Sequence, residues 1–586
     1  MKWTLISVNF TSSLQIRIKM KMSATFKTQE KLPVLLLCVL MIALLPTGHS
    51  QELMEFPGDN YTPSPRELHE TSPAYKFDAP GFSIVQVNVN SNGFNINDDA
   101  ANEPSIAFDP NDPNNIAIGW RQFDNINNNF RQAGFGYSTD AGQSWTFPGV
   151  IDPGVFRSDP VLGCDGEGNF FYNSLTSNGN DYWCNVYKSD DGGNSWTMGT
   201  FSQGGDKQWM SIDRSNGIGG GNIYEFWNAS YSICYPYNFT RSTDENSSYE
   251  SCSSIPGDPY WGTTFVTPEG VLYACGATWG GFLVARSSNA QNPGMEVSWD
   301  FAVTVNLGGE IIGFGGDDCP NPSGLLGQTI ITMDSTGGDG NGNIYMLCSV
   351  ARPASSDPCD VMFTRSTDGG FTWSSPVRVN DDDPGNSAYQ WFGTMSVAPD
   401  GRIDAIWLDT RDNPGAVNSA LYYSYSLDQG VTWTPNEKLS ESFDPHVGWP
   451  QQAKMGDYFD MYSDETGAHL AWAATFNGEQ DVYYSVITPA YVGLVEDIGA
   501  SPISLLQNFP NPFKDETTIR YRLSDENFVS VKIFSVTGRE VASLVNETQT
   551  AGIHQVSFQA AGLESGVYFY QLQAGGSTKT NRFILM

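Results

Sequence analysis

Positive charge is what this sequence has least of. Lys and Arg together number 30 against 65 Asp and Glu, giving a formal net charge of -35. A chain so acidic repels phosphate backbones instead of releasing counterions from them, which excludes nucleic acid as a partner. Charged residues of both signs make up only 16% of the chain, too few to face a set of amphipathic helices. The plentiful Gly, Asn, Ser, Trp and Tyr suit short strands and tight turns, so the expected fold class is all-β. A membrane-length apolar run is missing as well: Val34–Leu45 falls short of the roughly 20 residues that a span requires. That run follows Lys19, Lys21, Lys27 and Lys31 and precedes small and polar residues through Ser50, the order of a signal peptide. Residues 1–50 are therefore expected to be removed, leaving no transmembrane helix and a secreted or cell-surface product that passes through the periplasm. Histidine is scarce too. Beyond the signal peptide only His69, His446, His469 and His554 remain, with no G-x-S-x-G elbow and no H-E-x-x-H helix, which argues against hydrolase triads and zinc peptidases. No Cys/His spacing of a zinc site occurs. Without Cys38 of the apolar run, an even number of cysteines is left in a chain bound for an oxidising compartment. Cys164 with Cys184 and Cys348 with Cys359 are close enough in sequence to staple neighbouring strands; buried thiols are the alternative.

What the chain does have is repetition. The pattern S-x-D-x-G-x-x-W occurs at Ser138, Asp140, Gly142 and Trp145; at Ser189, Asp191, Gly193 and Trp196; at Ser366, Asp368, Gly370 and Trp373; and at Ser426, Asp428, Gly430 and Trp433. Its chemistry is that of a hairpin turn: the Ser and Asp oxygens take turn N–H groups, Gly permits the backbone, and Trp anchors the hairpin in apolar surroundings. These segments resemble the Asp boxes, or BNR repeats, of the sialidase-like β-propellers, where they join the outer two strands of a blade. The resemblance covers residues 100–490. Ser242–Tyr249 reads as a worn fifth box, and the segment ending at Trp299 as a sixth. Upstream of the boxes runs a second repeat of apolar strand, turn and apolar strand, as in EPSIAFDPNDPNNIAIGW and WFGTMSVAPDGRIDAIWLD. Seven such units fit four-stranded blades around an axis. A six- or seven-bladed propeller is expected, seven favoured; the resemblance itself implies six, the number in catalytic sialidases. Residues 51–99, polar and Pro-containing, read as a leader or linker.

From residue 501 the composition shifts. LLQNFPNPF is followed by the alternating strands TTIRYRL, VSVKIFSVTGREV, HQVSFQA and GVYFYQLQA, the pattern of a small β-sandwich. Residues 501–586 resemble the C-terminal sorting domain of type IX secretion cargo through Asn508–Phe513, Val536–Arg539, Ala551–His554 and Ser565–Tyr570. The resemblance implies that the type IX machinery is a partner.

Candidate chemistry is thinner. Sialidases use a Tyr nucleophile, and the resemblance implies also a helper Glu, an Asp acid/base and three Arg that grip a carboxylate with planar guanidinium forks. The first Arg of that set belongs ahead of the first box, where this chain reads NEPSIA. The catalytic candidates are Arg411, Arg157, Glu225, Tyr458 and Asp159, with Arg121, Arg241, Arg286 and Arg365 behind them. Aligned on the turn after their first strand, the units place Glu103, Asp159, Lys207 beside Asp206, Gln328 and Asp457 at nearly one phase ahead of the innermost strand, which in a propeller is one mouth of the channel. Glu103, Asp159, Asp206 and Asp457 then form a mostly acidic ring, with Trp209 or Tyr458 as a sugar-stacking face. Crowded carboxylates raise one another's pKa or recruit a cation; no cofactor is required, and Ca²⁺ suits hard oxygen ligands. Two functions stay open: an exo-glycosidase of sialidase type acting on extracellular glycans or glycoproteins, and a non-catalytic propeller that binds polysaccharide or protein.

Overall fold

Short apolar runs punctuated by Gly, Asn and Asp turns fold into antiparallel hairpins, and the hairpins assemble into sheets of two to five strands. The structure is a computed structural model that describes residues 59–489 and 503–585 apart from scattered positions; the signal-peptide segment lies outside the described residues. In chain order the innermost strands are Ala100–Phe108, Ser158–Cys164, Trp209–Ile212, Thr264–Val266, Ile330–Met333, Gln390–Val397 and Asp460–Ser463. These define the first to seventh sheets. Each strand is the edge of its own sheet and lies beside the innermost strand of the next, until Asp460–Ser463 returns beside Ala100–Phe108. A closed circuit of sheet edges around a common axis is a β-propeller, which leaves only short, protected edges.

The ring is closed by the chain's N-terminal part. Phe82–Gln86 pairs with Asp481–Ile487 as a further strand of the seventh sheet, and Lys76–Ala79 pairs with Phe82–Gln86. Residues 76–86, expected to be leader or linker, are therefore part of the fold. Their polar appearance hid an alternation in which Phe82, Ile84 and Gln86 turn inward.

Each box sits between the third and fourth strands of its sheet and works as a local hydrogen-bond knot. The Ser138 hydroxyl donates to Asp140 Oδ1 (2.7 Å) and accepts from Gly142 N–H (2.9 Å), while the same carboxylate accepts from Ser144 N–H (2.9 Å) and its hydroxyl (2.6 Å). Gly142 has φ +82°, and a Cβ there would overlap the ring of Tyr484. The box Trp faces the preceding sheet: Trp196 lies 5.9 Å from Phe135, Trp433 5.3 Å from Phe363, and Trp145 5.3 Å from Tyr484 of the seventh sheet. The repeat thus ties neighbouring sheets together as well as turning its own hairpin. Ser242–Tyr249 keeps the knot, with Asn246 at φ +70° where glycine stood.

The C-terminal module has two sheets. One orders Ile503–Leu505, Glu516–Leu523 and Gly552–Gln559; the other orders Glu540–Gln549, Asn527–Ser535, Gly566–Ala574 and Ser577–Leu585. Phe513, Ile519, Val531, Tyr570 and Phe583 fill the core between them. Asn508, from the NFPNPF segment, is buried and donates through its side chain to Thr517 Oγ1 at 2.9 Å.

The expected disulfides do not form. Cys164 stands opposite Phe170 and Cys184 opposite Leu175, positions about 17 Å apart along the shared strand. Cys348 stands opposite Met362, which puts it about 10 Å out of register with Cys359. A disulfide needs Cα atoms within roughly 7 Å. These four are buried free thiols, and the bridge joins Cys234 to Cys252 across the third sheet's loops.

Candidate functional site

At the entry to the inner strands the backbone turns left-handed: φ is +55° at Glu103, +47° at Asp159, +55° at Lys207, +53° at Trp261, +56° at Phe392 and +98° at Gly456. Non-glycine residues hold this conformation at a cost on the order of 1–3 kcal/mol each, and it persists only where surroundings impose it. Register slips beside Glu103 and Phe392 mark these turns as β-bulges, which re-aim side chains. What they aim at is the axis. Lys207 Nζ of the third sheet lies 3.3 Å from Asp159 of the second, 3.4 Å from Asp206, and 2.7 Å from Asp457 of the seventh. The third and seventh sheets are not neighbours in the ring, so they meet only across its centre.

The structure therefore brings Asp159, Asp206 and Asp457 together, with Glu103 one step round the ring, but the group is not a bare acidic ring. Lys454 Nζ pairs with Asp457 at 2.7 Å and Arg121 with Glu103 at 3.1 Å. Leu325 N–H donates to Asp457 Oδ1 at 2.8 Å. Lys207, Lys454 and Arg121 supply these carboxylates with counter-charge from within the chain. Burial pushes the Glu103 carboxyl up, partly offset by the Arg121 charge. Lys454 and Arg121 were not placed in this ring from sequence. The Lys454–Asp457 spacing was the available signal, but Lys454 precedes the bulge and falls outside the aligned phase.

Trp209 and Tyr458 are corrected as sugar platforms. Both are buried, their rings meet edge to face at 5.5 Å, and the Tyr458 hydroxyl donates to the Pro160 carbonyl at 2.7 Å. Gln328, on the same phase, donates to the Gly262 carbonyl at 2.8 Å.

The arginine candidates are dispersed. Arg157 binds Asp152 (3.0 Å) and Asn185 (2.9 Å). Arg411 binds Asp409 (2.9 Å) and Asp381 (2.6 Å) and lies over the Tyr422 ring. Arg241 pairs with Glu250, Arg286 with Asp300, and Arg365 donates to the Gln429 carbonyl. Glu225 stands between Met210 and Thr240 on the middle strand of the third sheet, wholly buried. Burial pushes its carboxyl up to about 7, with Asn173, Ser202 and Cys184 pulling the other way.

Because hairpins alternate direction, the loops joining second to third strands open on the same face as the bulges. Two of them carry exposed rings. The loop between Ile223–Phe226 and Phe239–Ser242 presents Tyr235 at 70% exposure and Tyr237, fastened by the Cys234–Cys252 bridge; the hairpin between Leu272–Thr278 and Gly281–Ser287 presents Trp279 at 89%. Sequence alignment of the units missed them because these loops differ in length from sheet to sheet.

Residues 507–586 match the family described as secretion system C-terminal sorting domain. No curated protein matches the chain by sequence. Among solved structures, the chain is similar to a protein of unknown function from Dyadobacter fermentans (13% identity, 70% of this chain and 100% of that one, TM-score 0.39). It is similar also to Trypanosoma rangeli sialidase in complex with 2,3-difluorosialic acid (9%, 87% and 89%, 0.36). A third likeness is to PorZ, a surface component of the type IX secretion system of Porphyromonas gingivalis (12%, 88% and 86%, 0.27). Among the described residues no helix is long and apolar enough to cross a membrane. The C-terminal module is thus a type IX sorting domain, and the propeller that precedes it is exported cargo destined for secretion and the cell surface.

Proposed function

We propose that this protein is a non-catalytic exported propeller that binds polysaccharide on the face where the bulges and the Trp279 and Tyr235 loops open. The observation that carries this reading is the dispersal of the candidate reacting groups. Each arginine is held by partners within its own sheet or the next, Tyr458 and Glu225 are enclosed, and three guanidinium forks do not converge on one point. A sialic acid carboxylate would find no clamp there, whereas an exposed indole and phenol offer flat apolar surface with a polar edge, the combination that stacks on sugar rings.

The test uses the full mature chain on a glycan array, beside an assay of fluorophore release from a sialic acid glycoside. Binding to a polysaccharide that falls tenfold or more in Trp279→Ala, with the melting temperature unchanged and no turnover, is the expected result. Turnover that Arg411→Ala abolishes would replace this reading with a sialidase, and glycan binding indifferent to Trp279→Ala would move the site elsewhere.

A further inference from the structure

A second set of buried carboxylates lies where the ring closes. Asp99 immediately precedes the first inner strand, Ala100–Phe108; Glu479 and Asp481 come from the loop and third strand of the seventh sheet. One oxygen of each lies within 4.8 Å of the others, and all three side chains are buried. Among the described residues no Lys or Arg makes an ion pair with any of them. Arg66 is close enough to feel Asp99, but its guanidinium lies over the Phe147 ring and donates to the Pro148 carbonyl. Asp124 adds further negative charge nearby.

Neutral donors alone hold the three in place. Gln122 Nε2 donates to Asp99 Oδ2 (2.9 Å), Asn95 Nδ2 to Glu479 Oε1 (2.9 Å), Asp98 N–H to Glu479 Oε2 (2.7 Å) and Asn88 Nδ2 to Asp481 Oδ1 (2.8 Å). Asp99 Oδ1 is enclosed with no hydrogen-bond partner, although a buried acceptor left unmatched costs about 1–3 kcal/mol. Three converging carboxylates without an internal cation, one of them with an unmatched oxygen, describe a ligand set in need of its ion.

We propose that Asp99, Glu479 and Asp481 form a Ca²⁺ site that clasps the first sheet to the seventh. The donors are hard oxygens with no thiolate or imidazole among them, which selects Ca²⁺ over softer metals. Oxygens bound at roughly 2.4 Å from one Ca²⁺ lie at most about 4.8 Å apart, and the three ligand oxygens lie within that distance of one another. The clasp adds to contacts already crossing the seam, among them Ala101 N–H donating to the Gln480 carbonyl at 2.7 Å.

The experiment is calcium titration of the full mature chain, stripped with chelator and dialysed, by calorimetry with CaCl₂ and by thermal melting with and without it at constant ionic strength. One Ca²⁺ per chain and a melting temperature raised by a few degrees are expected, because a ligand bound only by the folded state stabilises it. Asp99→Asn should weaken binding tenfold or more and remove the rise, while Asp159→Asn, in the channel ring, should leave both. Absence of Ca²⁺ binding by the unmodified chain would overturn the proposal even if the Asp99 variant failed to fold. Binding lost in Asp159→Asn and kept in Asp99→Asn would equally overturn it.

Discussion

The channel and the seam each gather carboxylates below the surface, and the chain treats them differently. In the channel Asp159, Asp206 and Asp457 converge on Lys207, with Lys454 behind Asp457 and Arg121 behind Glu103. At the seam Asp99, Glu479 and Asp481 converge on one another, held by amide, backbone and hydroxyl donors and by no Lys or Arg ion pair among the described residues. Buried charge must be paired, neutralised or shared with a metal. The channel carries its counter-charges in the sequence and is complete once folded; the seam depends on something from outside. Glu225 shows the remaining route, a buried carboxyl whose proton affinity is pushed up to about 7 by burial. Convergence of acids in a sequence alignment therefore does not by itself announce a metal, because the cation can be a lysine from an adjoining turn.

The largest effect should come from breaking the channel's self-sufficiency. Lys207→Met takes one ammonium from three carboxylates, and removing one partner of a buried pair costs about 3–5 kcal/mol. Urea unfolding of the mature chain should register a loss at that scale, and adding Asp159→Asn should restore part of it, since one of the stranded charges then disappears. A loss under about 1 kcal/mol, within the range of exposed pairs, would mean that the ring is open to water.

Glu225→Gln sharpens the contrast between a group that holds a proton and groups that hold cations. With the folded carboxyl near 7 and the ordinary value at 4.5, the folded state binds the extra proton between those limits. The stability that Glu225 provides is full below about 4.5 and declines as pH rises through about 7. Glutamine does not ionise, so the variant should match the parent at pH 4 and exceed it at pH 8. At about 1.4 kcal/mol for each tenfold in proton affinity, the difference reaches roughly 3 kcal/mol at most. Denaturant midpoints at the two pH values measure it; an identical pH dependence in parent and variant would show that Glu225 is ionised in the fold.

Much of this was legible in the sequence, and the reasons differ by element. The boxes were readable because each constraint is local: one Ser, one Asp, one Gly and one Trp within a single hairpin. The sorting module was readable from its own motifs, which residues 507–586 carry intact. The phase of Glu103, Asp159 and Lys207 was visible because the bulge recurs at the start of successive inner strands. Partners across the ring were not. Lys454 reaches Asp457 from a turn outside that phase, and Asp99 meets Glu479 and Asp481 only where the seventh sheet closes against the first. Tyr458 and Trp209 looked like platforms because sequence reveals an aromatic ring but not which of its faces are covered.

The smallest expected effect completes the comparison with a carboxylate that needs neither cation nor proton. Asp428 in the sixth-sheet box accepts from the Ser426 hydroxyl (2.8 Å), from Thr432 N–H (2.9 Å) and from the Thr432 hydroxyl (2.6 Å), at a partly exposed turn. Water can replace these donors in part, so Asp428→Ala should cost about 1 kcal/mol, the net worth of an ordinary hydrogen bond. The same turn tests the backbone side of the repeat: a Cβ at Gly430, where φ is +75°, would overlap the Phe363 ring, so Gly430→Ala should be the costlier of the two. Thermal melts of both variants with and without CaCl₂ check this, and the calcium response of each should equal that of the parent, because the boxes lie outside both carboxylate clusters. If Asp428→Ala cost as much as Lys207→Met, the box carboxylate would be as deeply committed as the channel's, and the division between water-satisfied and internally paired acids would fail.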